Sequence, residues 1–226
     1  MKRFWTILAI AVAAAAILLL VFKDNIFGNK KTEEPMMKNT AVVVVDELYD
    51  FIDGSLACQG AVECVKNSAA FLSGLEGVPI LYTCDYHPAN HCSFVEQGGP
   101  WPPNCVQGTR GGEIADELKP YVTEELVFLK GDDPMVEQYS GFEGHNAAGQ
   151  TMGEVLEVLG IENVIVIGIA TEFCVRNTAE DLIKAGYKVT IQENCLACVD
   201  PQGHVDAIAA MKEEGIIFTG SPAPVF

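Results

Sequence analysis

The sequence predicts an α/β protein: a three-layer α/β/α sandwich on a six-stranded parallel sheet, preceded by an N-terminal transmembrane helix. Three observations point there. Short apolar runs rich in β-branched residues alternate with stretches of helical periodicity, the pattern of βα units joined by right-handed crossovers. The runs are apolar throughout rather than at every second position, as in strands covered on both faces. And 226 residues at 49% hydrophobic composition suffice for one sizeable core plus an appendage.

The appendage comes first. Phe4 to Phe22 holds only one polar residue, Thr6, and no charge, which is long enough to cross a bilayer. Its alanines lie inside the run and Leu18 to Lys23 follow, so residues 1–24 read as an uncleaved anchor rather than a cleaved signal. Lys2 and Arg3 form a short basic head that resembles an export signal and places the domain outside the cytoplasm, against competition from Lys23, Lys30, Lys31 and Lys38. Residues 25–39 are polar, with Gly28 and Pro35, and read as a linker.

Residues 40–226 form the domain. Ala41–Val45 is a strand ending on Asp46, Gly60–Leu72 a helix, and Pro79–Thr83 a strand ending near Asp85. The loop Cys84–Gly112, rich in Pro, Gly, Asn and His, is long for a compact domain and so reads as functional. Glu125–Leu129 is a strand ending on Lys130, Thr151–Leu159 a helix, and Val164–Ile169 a strand that breaks around Gly168. A helix over Glu172–Ala185 follows, with Cys174 in its first turn. Lys188–Gln192, Val205–Glu214 and Ile216–Thr219 complete the set as strand, helix and strand.

Charge narrows the partners. The first 40 residues take 6 of the 14 basic and 3 of the 31 acidic residues, leaving 8 against 28 in the domain. So acidic a surface disfavours nucleic acid. Membrane contact is expected through the N-terminal helix alone, and the sequence leaves homo-oligomerisation open. The eight cysteines are compatible with an oxidising compartment, but spacing assigns no pairing, whether for Cys92 and Cys105 or for Cys195 and Cys198.

Parallel sheets bind ligands beyond the carboxyl ends of their strands. Asp46, Asp85, Lys130 and Cys174 stand at or just past four such ends. A thiol at a helix start can have its pKa lowered to roughly 3.5–7.5 when a cation or base helps. With Asp46 as acid/base and Lys130 as cation, Cys174 is equipped to attack a carbonyl and form an acyl-enzyme. The backbone N–H groups of Ala170 and Cys174 are candidates for an oxyanion hole. No histidine takes the place expected of a protease-like Cys/His dyad. Asp85, His87 and His91 group metal-ligating side chains on the same edge, a donor set suiting Zn, Fe or Mn. His145 and His204 read as surface residues.

These segments together resemble the nicotinamidases of the isochorismatase-like cysteine hydrolase family over nearly all of residues 41–223. The matching stretches are Asp46–Phe51, Asp85–Phe94 (DYHPANHCSF), Trp101–Glu113 (WPPNCVQGTRGGE), the LKG around Lys130, Tyr139–Phe142 (YSGF) and the GIATEFCV that ends on Val175. The resemblance implies a Rossmann-like strand order and a triad of Asp46, Lys130 and Cys174. It also implies a cis peptide at Ile169–Ala170 shaping the oxyanion hole, and one divalent metal, Zn foremost with Fe or Mn as alternatives. Asp85 and His87 are the implied ligands, with His91 added in some members. Phe51 and Trp101 match residues that line a pyridine ring, and Tyr139 and Ile169 join them as pocket candidates. The implied reaction is nicotinamide plus water giving nicotinate and ammonia.

Three departures stand out. Asn104 occupies a position usually held by a metal-ligating His, leaving a weaker amide ligand or none. The common Asp-x-Gln-Asn-Asp-Phe is Asp46-Glu47-Leu48-Tyr49-Asp50-Phe51 here. And a membrane anchor is unusual for such an enzyme. An alternative within the family is hydrolysis of another small amide, a carbamoyl compound or isochorismate. A noncatalytic, surface-tethered binding domain is the alternative from a different class, against which the presence of all three triad residues argues.

Overall fold

The computed structural model describes residues 37–220. The run read as a membrane anchor, and the linker up to residue 36, lie outside the described residues. Among the described residues no helix is long and apolar enough to cross a membrane. The last linker residues, Lys38 and Asn39, form an exposed turn in which the Asn39 carbonyl accepts from Glu162 and Asn163 N–H.

Six strands form one parallel sheet: β1 (Thr40–Val45), β2 (Ile80–Asp85), β3 (Val127–Lys130), β4 (Asn163–Gly168), β5 (Lys188–Leu196) and β6 (Ile217–Thr219). Their order is β3-β2-β1-β4-β5-β6, the doubly wound arrangement whose direction reverses between β1 and β4. A crevice opens at the carboxyl end of that reversal. Among the described residues there are five α-helices: α1 (Tyr49–Ile52), α2 (Ala61–Ser73), α3 (Met152–Leu159), α4 (Arg176–Lys184) and α5 (Pro201–Glu213).

β1 shows why the sheet is covered twice. Val42 and Val44 pack in one apolar cluster with Val65 and Leu72 of α2. Val43 and Val45 pack in the other with Val155 and Leu156 of α3, Ala179 and Leu182 of α4, and Ala207 and Met211 of α5. All four valines are inaccessible to solvent, and each contributes about 1.5–3 kcal/mol by leaving water. The continuous apolar run is thus the signature of two helical layers.

Gly168 fixes how closely β1 and β4 approach. Its φ is +124°, and a Cβ there would stand 2.1 Å from the Val45 carbonyl oxygen. Only glycine accepts both conditions, so β4 ends at this residue and the chain turns into the loop that carries Cys174.

Four elements differ from the sequence reading. The helix expected over Glu172–Ala185 opens instead with one π-type turn, Thr171–Val175, before α4. β5 runs on to Leu196 through the polar stretch Gln192-Glu193-Asn194, because its end pairs with Gly168 of β4 across a register shift. α5 begins at Pro201 rather than Val205: the Asp200 carboxylate caps it by accepting from Gly203 N–H at 2.6 Å, and Pro201 takes the first turn. The early start puts His204 on the inner face, 8% exposed, with Nδ1 2.9 Å from Thr171 Oγ1. That overturns its reading as a surface residue, and burial lowers its pKa. The short α1 carries no periodicity long enough to be seen in the sequence. All eight cysteines are unpaired thiols.

Candidate active site

Lys130, the last residue of β3, is wholly buried and gathers the other reactive groups around its ammonium. Nζ lies 2.9 Å from Asp46 Oδ2, 3.5 Å from Cys174 Sγ and in contact with Asp85 Oδ1. It also donates to the Gln138 carbonyl at 3.3 Å. Register explains the convergence: Asp85 pairs directly with Lys130, and Val45, just before Asp46, pairs with both Thr83 and Gly168. Oxygens of Asp46 and Asp85 and the sulfur of Cys174 all fall within 4.8 Å of one another. Asp46 adopts a left-handed backbone, φ +48°, and Thr83 Oγ1 donates to its Oδ1 at 2.6 Å.

An unpaired ammonium at this depth would cost several kcal/mol. Burial alone would drive Lys130 down, but Asp46 and Asp85 outweigh it and hold the ammonium well above its ordinary value. Burial pushes the Asp46 carboxyl up, with Lys130 pulling the other way and Asp85 adding to the rise. For Cys174 burial again dominates: it pushes the thiol well above its usual range, Lys130 opposes, and Asp46 and Asp85 add to the rise. The lowered thiol pKa expected at a helix start is therefore not found. Complete burial beside two carboxylates outweighs the helix terminus and the single ammonium, so the resting sulfur keeps its proton.

A small pocket leads to this cluster, walled by Phe51, Trp101, Tyr139, Ala170, Phe173 and Val199. Trp101 Nε1 donates to Tyr139 Oη at 3.1 Å, and the Phe173 ring meets Trp101 edge-on with centroids 5.1 Å apart. The wall is apolar and flat-sided, suited to a planar neutral ring. Ile169 is buried behind it, and the Ile169–Ala170 peptide is cis. Ala170 and Cys174 both border the pocket. Leu48 is packed away in the core beside Ile169, and the Tyr49 ring lies under Arg110, so neither replaces a polar pocket group. A wider cleft, about 620 Å³, lies elsewhere at Phe142, Glu157 and Tyr187 and contains no thiol or imidazole.

On the pocket's other flank, His87 Nδ1 is 3.0 Å from the Asn104 carbonyl oxygen. Its Nε2 is buried without a hydrogen-bond partner, 3.7 Å from Asp85 Oδ1. His91 stacks on His87 at 4.3 Å between centroids, with Nδ1 2.7 Å from Ser93 Oγ and Nε2 3.1 Å from the Val136 carbonyl oxygen. The Asn104 side chain donates to the Pro102 carbonyl at 2.9 Å. An orphaned imidazole nitrogen, a carboxylate and a second imidazole are donors that fit a divalent cation.

Residues not singled out from sequence also belong here. Thr83 holds Asp46, and nothing in a strand residue's type announced that. Phe173 completes the aromatic wall. Glu172 accepts from the Val199 and Asp200 N–H groups at 2.9 and 2.7 Å, tying the Cys174 turn to the start of α5. Glu137 offers a carboxylate within 4.8 Å of the ligand atoms of His87 and His91.

The Isochorismatase domain profile matches residues 40–222. A nicotinamidase/pyrazinamidase of Mycobacterium tuberculosis is 33% identical over 181 residues, covering 78% of this chain and 96% of its own. The pyrazinamidase of Pyrococcus horikoshii, solved in complex with zinc, superposes with a TM-score of 0.71 at 32% identity, covering 81% of this chain and 99% of its own. PnC1 of L. infantum, solved in complex with nicotinate, has the same TM-score and identity, with 80% and 92% coverage.

Proposed function

This chain belongs to the isochorismatase family, and from that premise we propose that it hydrolyses nicotinamide to nicotinate and ammonia through a thioester on Cys174. It is a hydrolase of amide C–N bonds. The observation that carries the finer reading is the meeting of Asp46, Lys130 and Cys174 at the foot of an aromatic-walled pocket. The nicotinate- and zinc-bound relatives add support.

Chemistry follows from the resting protonation. Asp46, its carboxyl raised by burial, takes the proton from Cys174 Sγ as the sulfur attacks the carboxamide carbon. Lys130 stays protonated and offsets the negative charge that then lies on sulfur. The developing oxyanion is taken by the backbone N–H groups of Ala170 and Cys174, each worth roughly 2.7–4 kcal/mol where such donors have been measured. Asp46 returns its proton to the departing nitrogen, which leaves as ammonia. A water molecule then attacks the thioester, its proton passing through Asp46 to the sulfur as the carboxylate product is released.

Phe51, Trp101, Tyr139 and Phe173 hold the ring and keep bulk water off the sulfur. His87, with Asp85 and His91 as co-ligands, would hold a divalent metal. Such an ion, Zn by its preference for mixed imidazole and carboxylate donors with Fe or Mn as alternatives, would supply a Lewis acid beside the substrate ring. For residues 1–24 we keep the reading of a membrane anchor with the domain outside the cytoplasm, on the strength of the apolar run and its basic head.

The test offers the full-length protein nicotinamide, a carbamoyl amide and isochorismate in parallel, with Zn, Fe or Mn added. Ammonia and nicotinate are measured together. Equal amounts of the two from nicotinamide support the reading. Turnover of another substrate, with nicotinamide left intact under every metal, overturns it.

A further inference from the structure

The set of donors around His87 is incomplete where Asn104 stands, and the fold brings a different side chain to that place. The Asn104 carbonyl can only accept, so His87 Nδ1 carries the proton and Nε2 the lone pair. That Nε2 is buried, with the residue 3% exposed, and has no hydrogen-bond partner. Leaving such a group unsatisfied is unfavourable, and an arriving cation would remove that cost. Gly131 makes room for this ring: a Cβ there would lie 2.8 Å from His87 Nε2.

Asn104 serves His87 through its main chain, a service any residue could perform, while its side-chain amide is committed to Pro102. Glu137, on the loop after β3, places a carboxylate oxygen within 4.8 Å of the ligand atoms of His87 and His91, and it lines the same pocket. Resting on the metal reading above, we propose that Glu137 supplies the ligand that Asn104 does not, so that His87, His91 and Glu137 converge on the cation, with Asp85 next to His87 at 3.7 Å.

The loop is arranged for this. His91 Nε2–H donates to the Val136 carbonyl, and its Nδ1 accepts from the Ser93 N–H. When His91 offers its Nε2 lone pair to a metal, the ring proton sits on Nδ1 and is donated in a hydrogen bond to Ser93 Oγ, the Ser93 N–H giving up its bond to that nitrogen, and the tautomer is fixed as a metal-bound imidazole requires. The Val136 carbonyl is released, freeing the residue directly before Glu137. On the other side, Gln138 N–H donates to Glu137 Oε1 at 3.1 Å while the Gln138 carbonyl accepts from Lys130 Nζ. One residue, Gln138, therefore contacts both the new ligand and the buried ammonium through its main chain.

The test strips the full-length protein with a chelator and titrates Zn calorimetrically into the wild type, Glu137→Gln and Asn104→Ala. Glu137 is exposed, so its variant keeps the fold, which circular dichroism checks. The expected result is at least about a tenfold loss of Zn affinity in Glu137→Gln, and a loss under about threefold in Asn104→Ala. Equal affinity in wild type and Glu137→Gln, including no binding by either, overturns the assignment, as does an Asn104→Ala loss as large as that of Glu137→Gln. Because the readout is metal rather than ammonia, failure here leaves the amidase reading standing.

Discussion

Thr83 Oγ1 donates a 2.6 Å hydrogen bond to Asp46 Oδ1, so a strand residue outside the pocket favours the ionised form of the proposed base. The bond lowers the Asp46 pKa against the larger upward push of burial. Thr83→Val keeps the shape and removes the donor. The Asp46 pKa then rises, the acidic limb of the kcat/KM profile moves to higher pH, and activity below that limb falls by about tenfold. A pH–rate profile of the variant checks this, and an unmoved acidic limb contradicts it.

Lys130→Met leaves Asp46 and Asp85 facing each other without the cation. Turnover should fall on the order of 100- to 1000-fold, and stability by about 3–5 kcal/mol, because one partner of a buried ionic cluster is gone. Steady-state kinetics and denaturant melts read the two effects. Wild-type turnover in this variant contradicts the role of the ammonium.

Glu47 gives the protein a pH-dependent stability unrelated to catalysis. It is 2% exposed, Ser68 Oγ donates to its Oε1 at 2.6 Å, and Oε2 has no partner. Burial raises its pKa from 4.5 to about 8. Across that interval the folded state holds a proton that the unfolded state has lost. The stability from this group is thus fully present below pH 4.5 and is lost as the pH rises to about 8, at up to about 1.4 kcal/mol per pH unit. Glu47→Gln should flatten the fall in denaturant midpoint between pH 5 and 8. An identical slope in the variant refutes the assignment.

Gly168→Ala forces a Cβ to within 2.1 Å of the Val45 carbonyl at φ +124°. The expected cost is about 3 kcal/mol or more, and activity should fall because the shift falls between Asp46 and the Cys174 loop. A melting temperature within about 2 °C of wild type contradicts the close approach of β1 and β4.

The anchor reading predicts that the full chain stays with membranes through an alkaline wash and that removal of residues 1–24 releases it. A membrane-impermeant thiol reagent should label intact cells only if the domain faces outward. Release of the full chain by the wash contradicts the anchor.

What was legible in the sequence was whatever repeats along the chain or ends a strand. Val42–Val45 and Val164–Ile167 announced buried parallel strands. Because such strands end on one edge, the sequence alone groups Asp46, Asp85, Lys130 and Cys174. What was not legible depends on distance across the fold. The Thr83 bond to Asp46, the approach of Glu137 to His87 and the Glu172 clamp on Val199 and Asp200 join residues far apart in sequence. The rise of the Cys174 pKa is hidden from the sequence for a related reason. A helix start is visible in the sequence, whereas complete burial beside two carboxylates is not.

The most direct measurement is ammonia release from nicotinamide by the full-length wild type and by Cys174→Ala, with equal folding checked by circular dichroism. Nucleophilic attack by Cys174 predicts steady release from the wild type and a loss of roughly 10⁴-fold or more in the variant. No release by the wild type under any metal, or a variant that keeps its rate, contradicts it.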